Sequence, residues 1–432
     1  MNAMKKGMLI VATLAVLGMV MGICFLTTGV SSVVDWRPLR AVALESDDWG
    51  LAGFVPSADV WHGSNREELI PGHFPAVYWE STLEDSLMVA DLCGIMASFV
   101  GADGLPAVFQ PNYVMSSLSY EKDATGWVWV RYNLPQFPPA YERKGMWEAV
   151  EEGIEAGLWY PEFHATWHYD PAMRLENALK NDLAKKMTKA GVTLFPESEK
   201  ARELGQWRSL VDLSRELQGS QRIFQEIFER PVGSIIAPDY TWFDGVETMW
   251  QQLGVRVIQG KREQRDPTLP GGKLGRGVKF IKRQWALLNH RQRIYLERNC
   301  RLEPVQSPQP EQVVLRCMAD THKAWAKGQP AIVETHRVNF AHADPGVVKL
   351  GQDSMTDYLE SICADADQLP VFMVDAEIAQ LQTRGVSWVV RGNQLILRNG
   401  THGRRLVVVT HQKTTKWFAL GAQSVIKTQW KQ

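Results

Sequence analysis

Cysteine is scarce, with five in 432 residues. Four of them, Cys93, Cys300, Cys317 and Cys363, follow the N-terminal apolar run, and their spacing matches no zinc cluster. A thiolate-bound structural metal is therefore excluded. In an oxidising compartment Cys300 and Cys317 are the first candidates for a disulfide, with burial as free thiols the equal alternative. An excess of either charge is also missing: 47 Lys and Arg stand against 48 Asp and Glu, a formal net charge of -1. A phosphate backbone is met by a basic surplus, so nucleic acid is excluded as the main partner. Internal repeats and low-complexity tracts are absent. Apolar residues at 45% and charged residues at 22% describe an ordinary globular chain.

Tryptophan is plentiful, at 17. Such residues fill cores first and stack on sugar rings second. One hydrophobic run is long. Lys5 and Lys6 precede "MLIVATLAVLGMVMGICFLTTGV", from Met8 to about Val30, and about 20 apolar residues cross a bilayer core. A cleaved signal peptide has a shorter apolar region and a small-residue cleavage site. The expectation is an uncleaved anchor, with a processed signal ending near Ser31 or Ser32 as the alternative. The lysines keep that end in the cytoplasm and put the remainder outside.

The rest of the chain alternates apolar strands with helical segments, which predicts an α/β fold with a parallel sheet. Three regions follow: an anchor over 1–34, a barrel over 35–385, and a small β-rich module over 386–432. In the last, "SWVVRGNQLILRNGTHGRRLVVVTHQ" reads as hairpins. A basic, glycine-rich stretch from Lys261 to Arg293 reads as a solvated insertion, with an anionic glycan contact as the alternative.

Chemistry-bearing residues gather where predicted strands end, as parallel barrels place functional groups. "ESDDWG" sets Glu45, Asp47 and Asp48 side by side, and like charges so close need a cation or free solvation. "FHATWH" carries His164 and His168 at H-x-x-x-H spacing, which converges two imidazoles on a helix face or a tight loop. Two histidines and a carboxylate hold a catalytic divalent cation with positions left open. "APDYTWFD" and "AIVETHRVNF" supply further strand ends with Asp239, Tyr240, Glu334 and His336.

The ordered set "SDDWG", "FHATWH", "IIAPDY" and "IVETHR" resembles the polysaccharide deacetylase family, the carbohydrate esterases sharing the nodulation-type chitooligosaccharide deacetylase domain, over about Ala41–Leu381. "YLERNCRLEP" with "ETHRVNFAHADPG" resembles a divergent extracellular branch. The resemblance implies a distorted (β/α) barrel of about seven parallel strands, an acetylated polysaccharide as substrate and one divalent cation, zinc by default. It implies Asp47 as general base, Asp48, His164 and His168 as metal ligands, and His336 as general acid. Trp49, Asp239, Tyr240 and Trp242 become candidates for the sugar site. One position departs from the pattern: Ile236 stands where the family carries an Arg that orients the base. Arg337 is a candidate substitute. Two other functions stay open, a glycoside hydrolase using Glu45 with Asp47 or Glu334, and a glycan-binding protein with a vestigial site.

Overall fold

The computed structural model describes residues 34–63, 66–69, 76–195, 203–204, 209–260, 263–269, 277–278, 293–411 and 414–430. The apolar run at Met8–Val30, Cys24 and most of the basic stretch at Lys261–Arg293 lie outside them. Among the described residues no helix is long and apolar enough to cross a membrane.

The frame is a parallel sheet. Its strands are β1 (Ala41–Trp49), β2 (Phe109–Val114), β5 (Glu162–Ala165), β6 (Ser234–Ile235), β7 (Val257–Gln259), β8 (Ile294–Leu296), β9 (Cys300–Arg301), β10 (Ala331–His336) and β11 (Val371–Phe372). They pair in the order β8-β7-β6-β5-β2-β1-β10-β9, with β11 against the start of β1. Only Glu297, Arg298 and Asn299 separate β8 at one end of this order from β9 at the other. One broken segment of chain thus serves both ends of the sheet. The result is an α/β fold with a curved, parallel sheet.

Parallel strands are covered on both faces, so they read as unbroken apolar runs rather than as alternation. Val42 and Leu44 of β1 pack outward with Phe109, Val333 and the helices Ser86–Ser98 (α1), Leu210–Phe228 (α2), Pro310–Ala326 (α3) and Pro345–Cys363 (α4). Ala41 and Ala43 point the other way, into a smaller cluster with Val257, Leu296 and Ile332. Helix α5 (Asp375–Arg384) closes that cluster through Ile378 and Leu381.

Two regions add strands outside the parallel sheet. A hairpin of β3 (Ser116–Asp123) and β4 (Gly126–Asn133) follows β2 directly; the sequence reading missed it. At the C-terminal end β12 (Val386–Arg391), β13 (Gln394–Asn399) and β16 (Ser424–Gln429) form one antiparallel sheet, and β14 (Arg405–His411) with β15 (Thr414–Leu420) a hairpin. The expected hairpins are present. Cys300 and Cys317 are buried free thiols, so the proposed disulfide is not formed.

Candidate active site

Period-two alternation builds the site. Along β1 the residues on the inner face are Ala41, Ala43, Glu45 and Asp47, so the same face turns from apolar to acidic toward the strand end. Parallel register sets Glu45 opposite Glu334 and Asp47 opposite His336 of β10. Asn112 of β2, His164 of β5 and Gln259 of β7 belong to the same side of their strands as the residues that meet Asp47. The strand ends therefore surround a cleft of about 350 Å³ lined by Asp47, Asp48, His164, His168, Tyr240 and His336, among others.

Strict alternation would turn Asp48 away. Its φ of 75° lies in the left-handed region, and the β1–β2 register slips between Ser46 and Trp49. This bulge lets two consecutive carboxylates face one cleft. His168 has a φ of 71° and is likewise not glycine. Such backbone costs about 1–3 kcal/mol per residue and persists only where the surroundings enforce it. The turn is enforced from behind. Glu203 accepts the backbone N–H groups of Thr166, Trp167 and His168 at 3.1, 2.9 and 3.0 Å. Glu84 accepts from Gly50 N–H at 2.9 Å and pairs with buried Arg337.

Asp48 Oδ1 lies 3.3 Å from His164 Nε2 and 2.9 Å from His168 Nε2. The His164 Nδ1–H donates to the Ile236 carbonyl at 3.1 Å, which leaves an Nε2 lone pair facing the carboxylate. Asp48 Oδ1 and His164 Nε2 are buried, and neither has a hydrogen-bond partner among the described residues. Opposed lone pairs in a buried site fit a divalent cation between them. The H-x-x-x-H pair uses neither a helix nor a loop alone: His164 is on β5 and His168 on the turn beyond it.

Asp47 is held differently. Burial pushes its carboxyl up, but the Arg298 guanidinium overrides this and holds it well below the usual carboxylate range. Arg298 donates NH1 to Oδ2 and NH2 to Oδ1, both at 2.7 Å, and Asn112 donates to Oδ1 at 2.8 Å. The same guanidinium donates to Glu45 at 2.5 Å, Gln259 at 2.8 Å and Tyr240 at 3.2 Å. Arg298 thus supplies the cation missing at Ile236. Arg337 does not: it donates to the Leu51 carbonyl and Glu84. Sequence reading overlooked Arg298, although it sits in "YLERNCRLEP"; Arg301 lies three residues on, and no spacing separates the buried Arg298 from it.

His336 Nε2 lies 3.9 Å from Asp47 Oδ2. Its Nδ1 meets Glu303 at 2.5 Å, and Glu303 is held in turn by Asn339 and Gln306. Burial alone would lower this histidine, yet Glu303 raises it to about 10. The cleft therefore faces an ionised Asp47 across from a protonated His336.

Other candidates separate. Asp239 and Tyr240 line the cleft, with Asp239 paired to Arg265 at 2.5 Å. Trp49 and Trp242 do not reach it. Trp49 is fully buried, donates to Ser46 and packs edge-on to Trp159; Trp242 is fully buried and donates to Glu247. Their rings are core: strict alternation would turn Trp49 inward with Asp47, but the bulge between Ser46 and Trp49 sends it outward, and Trp242 lies in the loop beyond β6. Glu45 is completely enclosed, and burial together with Asp375 raises it well above the usual range. It cannot touch a sugar, which removes the Glu45–Asp47 acid pair of a glycoside hydrolase.

No protein-family profile matches the chain, and no curated protein matches it in sequence. Among solved structures it is similar to a "putative polysaccharide deacetylase from Mycobacterium smegmatis", at 11% identity and a TM-score of 0.39, over 79% of this chain and 89% of that one. It is also similar to Agd3, described as a novel carbohydrate deacetylase, at 10% identity and a TM-score of 0.44. That match covers 91% of this chain and 65% of Agd3. An Anoxybacillus alpha-amylase follows at 9% identity and a TM-score of 0.32, over 92% and 99% of the two chains. These similarities are low.

Proposed function

We propose that this chain is a metal-dependent hydrolase that removes acetyl groups from a cell-envelope or extracellular polysaccharide. The observation that carries the proposal is the contrast between adjacent carboxylates: Asp47 is clamped by Arg298, while Asp48 faces two histidines with its Oδ1 unsatisfied. Asp48, His164 and His168 would hold the cation, with zinc the default and other divalent ions compatible. When bound, it supplies positive charge for the acetyl oxygen and the attacking water.

The remaining work belongs to the chain. Asp47 stays ionised beside Arg298 and accepts the proton of the attacking water at Oδ2, the oxygen nearer His336. His336 Nε2 carries the proton that the departing nitrogen or oxygen needs, and Glu303 keeps the ring oriented through Nδ1. Tyr240 and Asp239 stand at the cleft wall to meet the sugar. Presentation of this cleft outside the cytoplasmic membrane, through an anchor at Met8–Val30, belongs to the same proposal.

Elemental analysis tests the ligand set. Purified wild-type protein should carry close to one divalent ion per chain, and His164→Ala little. Equal metal in both would end the assignment.

A further inference from the structure

The hairpin β14–β15 carries a side that packs on nothing among the described residues. Val407, Val409 and Leu420 pack inward and are buried. On the opposite face Leu406 pairs across from Ala419, and Val408 across from Trp417. Leu406, Val408 and Trp417 are 63%, 42% and 65% exposed. A solvated strand face is normally polar, yet the remaining cross-strand pair here is Thr410 with Thr415, so no charge interrupts it. Exposed apolar patches of this kind mark a contact surface.

The surroundings are basic. From Val386 to Gln432 the sequence has eight Lys and Arg and no Asp or Glu, in a chain whose net charge is -1. Two of the eight are internal bolts: Arg398 pairs with Glu377 and Asp103, and Arg391 donates to the Phe372 and Pro106 carbonyls. Arg404 and Arg405 lie at the start of the hairpin and are exposed.

The N-terminal segment comes to the same place. Val34, the first described residue, is buried, and its Cγ atoms approach within 2.7 Å of where a Cβ on Gly400 would sit. Gly400 follows β13 directly, in the loop that leads to β14. Val34, four residues beyond the apolar run in sequence, thus packs beside the loop that joins β13 to β14.

We infer that the outer face of β14–β15 lies on the surface of an anionic bilayer, with Leu406, Val408 and Trp417 in the headgroup boundary and the arginines against phosphates. Trp favours that boundary, and basic residues near it are drawn to anionic headgroups. Aliphatic Leu406 and Val408 have nothing to offer a sugar hydroxyl, which favours lipid over a glycan. The inference extends the anchor reading and is independent of the chemistry in the cleft.

The test uses the full chain reconstituted in phosphatidylcholine vesicles containing about a third phosphatidylglycerol. An environment-sensitive fluorophore is placed on Leu406→Cys, with Val408→Cys as a repeat and Leu315→Cys on α3, 50% exposed, as the control. Emission from positions 406 and 408 should shift to the blue. Lipids brominated near the headgroup should quench it several-fold more than at position 315, and less so in pure phosphatidylcholine. A chain that floats with the vesicles while both hairpin labels stay in water overturns the inference and leaves the anchor intact. A chain that does not float overturns both. Protection that rises with protein density or persists without vesicles assigns the face to a second copy or to residues 1–33 instead. Protection only on adding an anionic polysaccharide assigns it to a glycan.

Discussion

Arg298 is the residue on which the site turns, because one guanidinium serves Glu45, Asp47, Gln259 and Tyr240 from inside the sheet. Removing one partner of a buried ion pair costs about 3–5 kcal/mol. Arg298→Met should lower stability by that order, measured by denaturant unfolding, and move the acid limb of acetate release to higher pH. The limb moves up because Asp47 loses the charge that opposes its burial. His336 titrates in the opposite sense. Its folded value, about 10, is above the ordinary 6.5. The stability it contributes is complete below 6.5 and lost as pH rises through about 10. Glu303→Gln should move the alkaline limb of acetate release down by about 1–3 pH units, while metal content stays unchanged. An unmoved limb would detach Glu303 from the histidine. The aspartates should divide: Asp47→Asn loses about 10²–10⁴-fold in rate with metal retained, and Asp48→Asn loses both.

Turns, more than strands, decide which side chains face the cleft. His168 reaches Asp48 because Glu203 gathers three successive N–H groups and stabilises the left-handed residue among them. Glu203→Ala should weaken metal binding by about 10–100-fold, the usual scale for groups that orient ligands; competition with a chelator measures it. Unchanged affinity would show that the turn holds its shape alone. Six strands of the parallel sheet were legible, with the strand-end acids and histidines as candidates; the short β8, β9 and β11 were not. The local devices were not. A bulge at Asp48 and a carboxylate at Glu203 depend on contacts between distant segments, which no spacing along the chain records. Trp49 shows the converse: it adjoins two candidate site residues, but the bulge beside it sends the ring into the core.

The whole molecule joins a chemically ordered sheet interior to a basic β-module. The C-terminal hairpins were visible because Asn-Gly-type turns are local signals, whereas the β3–β4 hairpin was not read. The fastening between the parts was not visible, since Arg398 must cross to Glu377 and Asp103 to be satisfied. Arg398→Ala should leave those acids without their charged partner, keeping the backbone N–H groups of Val374 and Leu105, and cost about 3–5 kcal/mol in unfolding free energy. A loss under 1 kcal/mol, measured against about that surface-pair scale, would show the fastening to be incidental. The central claim, that Asp48, His164 and His168 make this cleft a metal-dependent deacetylase site, is tested most directly by titrating metal-stripped protein with zinc on an acetylated glycan and measuring acetate. The account predicts release that rises with zinc, levels near one ion per chain and is absent from His164→Ala at every loading. Release that ignores metal, or none at any loading, would contradict it.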